Sequence, residues 1–217
     1  MVMRFFGHPF SSYCWKVLIA LEENAIPFDW AMVEQPENSA ELSRLWPMGK
    51  FPVIEDGNAV IGESSAIIEY LDAFHPGRVQ LIPSDRRAAV QARMMDRVFD
   101  NYVMNMMNVS VANALRPEGQ ADAYGVAQSR DALHAAYRWL DSALPDAEWA
   151  IGDQFTIADC AAAPALFYAD WVEQIPKPLT RLRGYRARLL ARPSVVRVVD
   201  AARPYRGYFP LGAPERD

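Results

Sequence analysis

Apolar positions along the chain change period several times, and each change marks an element. Met3–Phe6 is a short apolar run that ends in a Gly7-His8-Pro9-Phe10 loop and predicts a strand. From about Ser12 the spacing turns helical. Cys14, Val17, Leu18 and Leu21 fall at i, i+3, i+4 and i+7, one buried stripe that stops near Asn24, before Pro27. Phe28–Val33 reads as a second strand, and Ala40–Trp46 as a short helix stopped by Pro47. Two more apolar runs, Phe51–Ile54 and Ala59–Ile61, flank Glu55-Asp56-Gly57-Asn58, where Asp-Gly signals a hairpin. Helical spacing returns with Ala66, Ile67, Tyr70, Leu71 and Phe74, from a start near Ser64. The order β-α-β-α-β-β-α is a βαβ unit followed by a hairpin and a helix. It predicts a four-stranded mixed sheet with helices on both faces.

After His75-Pro76-Gly77 the pattern is helical throughout. Ala88–Leu115 predicts one long amphipathic helix, with Val90, Met94, Val98, Tyr102 and Met106 on related faces. Asp122–Leu144 predicts a second. Thr156-Ile157-Ala158-Asp159 opens a third, apolar helix to Trp171, with Thr156 as N-cap and Asp159 reaching back to it. Leu179–Ala191 and Ser194–Ala202 complete a bundle, and Arg203–Asp217 is a tail. The expected fold class is therefore α/β plus all-α. Residues 1–78 form the α/β domain, 79–86 a linker and 87–217 a helical C-terminal domain.

Composition adds little to this until charge is placed. With 51% hydrophobic and 23% charged residues the chain is an ordinary globular one. No apolar run reaches the roughly 18–20 residues needed to cross a bilayer, and the first residues lack a signal-peptide pattern. A cytoplasmic protein with no membrane partner is expected. The net charge of −5 is uneven: acids crowd the first 85 residues, while Arg181, Arg183, Arg186, Arg188, Arg192 and Arg197 mark a basic C-terminal stretch. No RNA-binding motif accompanies these arginines, which favours a solvated face paired with acidic neighbours over a nucleic-acid partner. The 2 cysteines and 3 histidines form no metal-ligand pattern, so no metal is expected.

Candidate chemistry gathers around residues 50–70. A helix opening with Glu63-Ser64-Ser65, side chains suited to capping, presents N–H donors and the positive end of its dipole. A carboxylate fits there, and Glu63 beside it suits an ammonium group. Pro52 belongs at a strand's first residue or on an edge, and pushes Phe51 towards an extended conformation. The Phe51 backbone can then pair with an extended peptide ligand. Together these features suit a short peptide bearing an amino-acid head group; the competing reading is a plain hairpin packed on a capped helix.

Four motifs, in order, resemble the soluble glutathione transferases over nearly the whole chain. They are Ser11-Ser12-Tyr13-Cys14-Trp15-Lys16-Val17; Pro47-Met48-Gly49-Lys50-Phe51-Pro52-Val53; Glu63-Ser64-Ser65-Ala66-Ile67-Ile68-Glu69-Tyr70-Leu71; and Thr156-Ile157-Ala158-Asp159. The resemblance implies a thioredoxin-like first domain that binds glutathione as co-substrate, and a homodimer. It implies a cis Pro52 with Phe51 meeting the cysteinyl part, Glu63 and Ser64 the γ-glutamyl head, and Lys50 and the Gln35 region the glycyl end. Phe10 and Ser12 would border the same site. The first motif is similar to the Ser-Ser-Cys-Ser-Trp-Arg-Val of the zeta branch, which implies Ser11 as the hydroxyl that stabilises the thiolate. Ser12 and Tyr13 are the alternatives, and Ser11 as a mere helix cap is a third.

Cys14 lies on the buried stripe, and Ser-x-x-Cys lacks the nucleophile of a dithiol site, so core packing is favoured over a redox role. A pocket for a small hydrophobic electrophile is expected around Phe10, Tyr102, Asn105, Met106 and Tyr205, with Tyr208 near the last. Conjugation to glutathione is the leading expectation. The zeta-like motif adds isomerisation of the maleylacetoacetate type, although Tyr13-Cys14 departs from that branch's Cys-Ser. A non-catalytic binding or regulatory protein is the remaining alternative.

Overall fold

Strands β1 (Met3–Gly7), β2 (Phe28–Met32), β3 (Val53–Asp56) and β4 (Ala59–Gly62) form one sheet in the order β2-β1-β3-β4. The structure is a computed structural model and describes residues 2–217. β1 and β2 run parallel, joined through helix α1 (Ser12–Glu23), with Phe5 opposite Trp30. β3 pairs antiparallel with both β1 and β4, and the β3–β4 hairpin turns at Gly57, whose φ of 60° few other residues adopt.

Alternation along the strands decides which helix lies where. Phe6, Ala31 and Val53 point to one face and meet Leu42 of α2 (Pro36–Leu45). Phe5 and Ile54 point to the other and join Cys14, Val17 and Leu21 of α1 and Ile67 and Leu71 of α3 (Ser64–Phe74). α2 starts earlier than its apolar spacing predicts, because Pro36 sits in its first turn, where a missing N–H costs nothing.

The helical half begins with α4 (Arg86–Val98), which passes through a π-helical segment, Phe99–Met104, into α5 (Asn105–Ala114). It continues with α6 (Ala123–Ala143), α7 (Ile157–Val172), α8 (Thr180–Ala191), α9 (Pro193–Ala202) and a 3-10 turn over Arg203–Tyr208. The core of the α1–α3 face runs without a break into this half, through Phe99, Tyr137, Leu166 and Tyr185. One correction concerns the long helix. Its buried stripe is Ala92, Met95, Phe99, Val103 and Met107, whereas Val90, Met94 and Tyr102 are 65%, 50% and 61% exposed. The helix carries two apolar stripes, and α7 covers only one.

α7 is buried over most of its length. Asp159 accepts hydrogen bonds from the N–H groups of Ala150 and Thr156 at 2.9 and 2.8 Å, and from the Thr156 and Tyr185 hydroxyls at 3.1 and 2.6 Å. Full satisfaction is what makes a buried carboxylate tolerable.

A second buried polar cluster ties the two halves together. Lys16 of α1 is 1% exposed, and its Nζ lies 2.5 Å from Asp96 Oδ1, 2.7 Å from Asp100 Oδ2 and 2.7 Å from Ser65 Oγ. The basic stretch is largely spent within the fold. Arg192 and Arg197 pair with Glu23 and Glu22, Arg186 with Asp170, and Arg181, Arg183 and Arg188 donate to backbone carbonyls.

Candidate functional site

A cleft of about 770 Å³ opens between the loop before α1, the Trp46–Pro52 stretch, the start of α3 and the α4–α5 wall. Ser11 is the N-cap of α1, and its Oγ accepts the Cys14 N–H at 3.4 Å. A hydroxyl that accepts at a cap keeps its own hydrogen for another partner. Ser11 thus caps its helix, and it lines the cleft.

The loop that carries Ser11 is held on several sides. Trp15 Nε1 donates to the Pro9 carbonyl at 2.5 Å, and the Tyr168 hydroxyl to the Phe10 carbonyl at 2.8 Å. The Phe10 N–H donates to His8 Nδ1 at 3.0 Å. At Gly7 any Cβ would come within 2.6 Å of the Phe5 ring and 2.7 Å of Cys14 Sγ, so only glycine lets β1 end this close to α1.

Tyr13 lines the same cleft, and Cys14 does not. The Tyr13 hydroxyl donates to Asn105 Oδ1 at 2.9 Å. Burial first, then the Asp100 charge, push its phenol up to about 12, so it stays a donor at neutral pH. Cys14 is fully buried and burial pushes its thiol up to about 12, the opposite of what a reactive thiolate needs. Cys160 is buried and pushed up as well. Neither thiol should react with an aromatic disulfide reagent in the native protein. Both should react once it is unfolded in guanidinium, as a colorimetric thiol titration will show. Prompt labelling of Cys14 in the folded state would reopen a redox role.

Across the cleft the Phe51–Pro52 bond is cis. The β1–β3 ladder reaches only to Val53, so the Phe51 backbone lies outside it. Glu63, the N-cap of α3, has φ 65°, a left-handed conformation uncommon for a residue with a side chain. The expectation that Glu63-Ser64-Ser65 side chains cap this helix is corrected here. Glu63 makes no capping bond, and Ser65 Oγ is engaged by Lys16 Nζ at 2.7 Å and Asp96 Oδ2 at 2.8 Å. Among the described residues no side chain makes a capping hydrogen bond at this helix start, which leaves its N–H groups available to an anion.

Phe10, Ser11, Ser12, Lys50, Phe51, Pro52, Glu63, Ser64 and Asn105 all line this one cleft. Tyr102, Met106 and Tyr205 do not. Tyr102 is exposed on the outer stripe of the long helix, Met106 packs against the core, and Tyr205 stands edge-on to His8 at 4.6 Å. The wall is instead Arg97, Asn101, Asn105 and Asn108, with Tyr208 from the tail. The difference is about one residue of helical rotation, near 100°. Gln35 also lies outside the lining, its Oε1 accepting from Asn38 Nδ2 at 2.8 Å. The missed signal was the polar spacing 97, 101, 105, 108, which is as regular as the apolar one beside it.

Comparison with known proteins is decisive for ancestry. Residues 5–79 match the family model "Glutathione S-transferase, N-terminal domain" and residues 123–188 match "Glutathione S-transferase, C-terminal domain". The chain belongs to the glutathione S-transferase family. Within it, the chain is 29% identical to FtsZ-localized protein A of Caulobacter vibrioides, over 82% of each chain. It is 27% identical to a maleylacetoacetate isomerase of Rattus norvegicus, covering 83% of this chain and 84% of that one. A glutathione S-transferase of Methylobacillus flagellatus, solved with GSH bound, superposes with a TM-score of 0.81 at 25% identity, covering 90% of this chain and 98% of that one. The transferase fold is thus shared with proteins that carry different names, and the function of this chain has to be argued from its own cleft.

Proposed function

We propose that this chain is a glutathione transferase that binds glutathione, holds its thiol as thiolate and adds it to a small electrophile with an apolar body. The observation that carries the reading is convergence. A hydroxyl at one helix start, a backbone outside the strand ladder beside a cis-proline, and an uncapped second helix start share one cleft. The α3 start at Ser64 takes the α-carboxylate of the γ-glutamyl head, Glu63 its ammonium, the Phe51 backbone the cysteinyl part, and Lys50 the glycyl carboxylate. Ser11 then stands at the sulfur, helped by the α1 dipole. In this reading residues 1–78 are the glutathione domain, 79–86 the linker and 87–217 supply the electrophile wall. The setting is the cytoplasm, where thiols stay reduced. Among the described residues no helix is long and apolar enough to cross a membrane.

A scaffold without turnover is less well supported, because Ser11 lines the same cleft as the Phe51 backbone and the α3 start. Isomerase chemistry of the maleylacetoacetate type uses the same thiolate but gains nothing from Tyr13-Cys14. The test is calorimetric titration with glutathione combined with a conjugation assay. Saturable uptake is expected, weakened about tenfold or more in Glu63→Ala, the cost of one charge-assisted contact. No uptake at millimolar glutathione would end the proposal.

A homodimer is part of the same reading. The outer stripe of α4, Val90 and Met94, stands exposed, as does Phe74 of α3 at 69%, and exposed apolar side chains of this size suit an interaction surface. Val90→Glu with Met94→Glu should shift light scattering from twice the 24.4 kDa chain mass to the chain mass. A wild-type protein that is already monomeric would refute the dimer.

A further inference from the structure

The loop that delivers Ser11 to the cleft is tied to a single buried histidine. Between the end of β1 at Gly7 and Ser11 stand His8, Pro9 and Phe10, and Pro9 has no N–H to give. The next two N–H groups both turn back to His8. Ser11 donates to its carbonyl at 3.0 Å, and Phe10 donates to its ring Nδ1 at 3.0 Å. An imidazole nitrogen that accepts carries no proton, so in this arrangement the ring is neutral and its proton sits on Nε2. His8 is 8% exposed. From the 3-10 turn of the tail, Tyr205 stands edge-on to the ring at 4.6 Å and Tyr208 lies more nearly parallel to it at 5.9 Å.

Trp15 and Tyr168 fix the same loop by its Pro9 and Phe10 carbonyls. An indole does not titrate, and burial pushes the Tyr168 phenol up, so neither changes its proton count near neutral pH. His8 is the tether that can change. The titratable groups facing it are Glu34, Tyr205, Tyr208 and Cys14. Glu34 Oε1 is 3.4 Å from Nε2, yet among the described residues Nε2 has no aligned hydrogen-bond partner. Glu34 pushes the Tyr208 phenol up, and burial holds the Cys14 thiol, which reaches the His8 backbone, at about 12. A second proton on the ring would gain attraction to Glu34 but set a donor against the Phe10 N–H. Building on the glutathione reading above, we propose that His8 is a positioning residue for thiolate stabilisation. Its neutral ring holds the Phe10 N–H, and through it the Ser11 hydroxyl, beside the sulfur; a proton on Nδ1 releases that hold. A small displacement of Ser11 is enough to weaken a hydrogen bond that depends on placement.

The test pairs His8→Leu, which has no acceptor, with His8→Asn, whose Oδ1 takes the place of Nδ1 and does not titrate. At about pH 7.5, within the range where histidine is mostly neutral, His8→Leu should lower kcat by about 3- to 10-fold. That is less than Ser11→Ala, because the hydroxyl is still present. Ionisation of bound glutathione, followed by thiolate absorbance, should move to higher pH in His8→Leu, while calorimetric affinity for glutathione stays within about twofold, since no contact to the tripeptide is removed. His8→Asn should recover most of the rate. The ratio of wild-type kcat to that of His8→Asn should then fall by about 3- to 10-fold from about pH 7.5 to about pH 5, the window in which histidines change charge. Thiolate protonation is common to both proteins and cancels in the ratio. Glu34→Gln should move this fall to lower pH. Wild-type kcat in His8→Leu, no recovery in His8→Asn, or a ratio that does not change with pH would each overturn the role. Should His8→Leu fail to fold, the pH course of the ratio decides alone. Failure of the wild-type chain to take up glutathione would instead sink the reading on which the proposal rests.

Discussion

Lys16→Met is expected to lower the unfolding free energy by about 3–5 kcal/mol, because it leaves buried carboxylates without their cation. For a chain of this size that is on the order of 10 °C in the thermal midpoint. Lys16 Nζ sits within 2.7 Å of both Asp96 and Asp100, whose side chains are 2% and 10% exposed. Methionine fills a similar volume, so the loss reads out charge rather than a cavity. Arg97 stays beside both acids, at 2.6 and 3.3 Å, which limits the damage.

The pH dependence of that loss has a definite sign. Burial already holds the Asp100 carboxyl above its ordinary value, and Lys16 is the strongest influence pulling it back down. Without Lys16 the folded pKa rises further above the unfolded one, so the folded state binds more protons. Stability then increases as pH falls through the raised value. The deficit of Lys16→Met should therefore be largest near pH 7 and shrink on acidification towards the ordinary aspartate range of about 4. Adding Asp100→Asn to Lys16→Met should recover part of the loss at pH 7. Urea titrations of the single and double variants at two pH values decide the matter. A loss below about 1 kcal/mol, the level of an exposed pair, would show that the cluster is far better hydrated than its burial indicates.

The same cluster shows where the sequence was legible and where it was not. Strand and helix order could be read because each element's period is local: Cys14, Val17, Leu18 and Leu21 announce a buried face without reference to any neighbour. The motif around Thr156 and Asp159 is also local, since a capping box closes within one turn. Lys16 carried no such signal, because its partners come from residues 65, 96 and 100. Sequence periodicity cannot say which of two stripes on a long helix faces inward when both are apolar. That choice is made by α7, and it moved the cleft wall from Tyr102 and Met106 to Asn101 and Asn108. The Glu63 region misled in a second way. Ser65 looks like a capping side chain, yet its hydroxyl is drawn to the buried ions.

Ser11→Ala should lower kcat by between about 10- and 100-fold at pH 7 while glutathione still binds. A free thiol ionises near pH 8.5, so at pH 7 only a few per cent is thiolate. A hydroxyl donating to the sulfur favours the anion and moves ionisation downward, and the α1 dipole adds to it. Wild-type rates should therefore level off well below pH 8. The variant's rates should keep rising towards about pH 8.5 and close most of the gap there, which a purely structural defect would not do. Alanine also removes the cap on the Cys14 N–H, at about 1 kcal/mol of stability. Thermal melts run alongside keep that smaller effect separate. Ser12→Ala is the control: it lines the same cleft one residue on, and a few-fold change is expected. If Ser12→Ala carries the larger loss, or if the Ser11→Ala profile runs parallel to wild type at every pH, the hydroxyl at the sulfur is not that of Ser11.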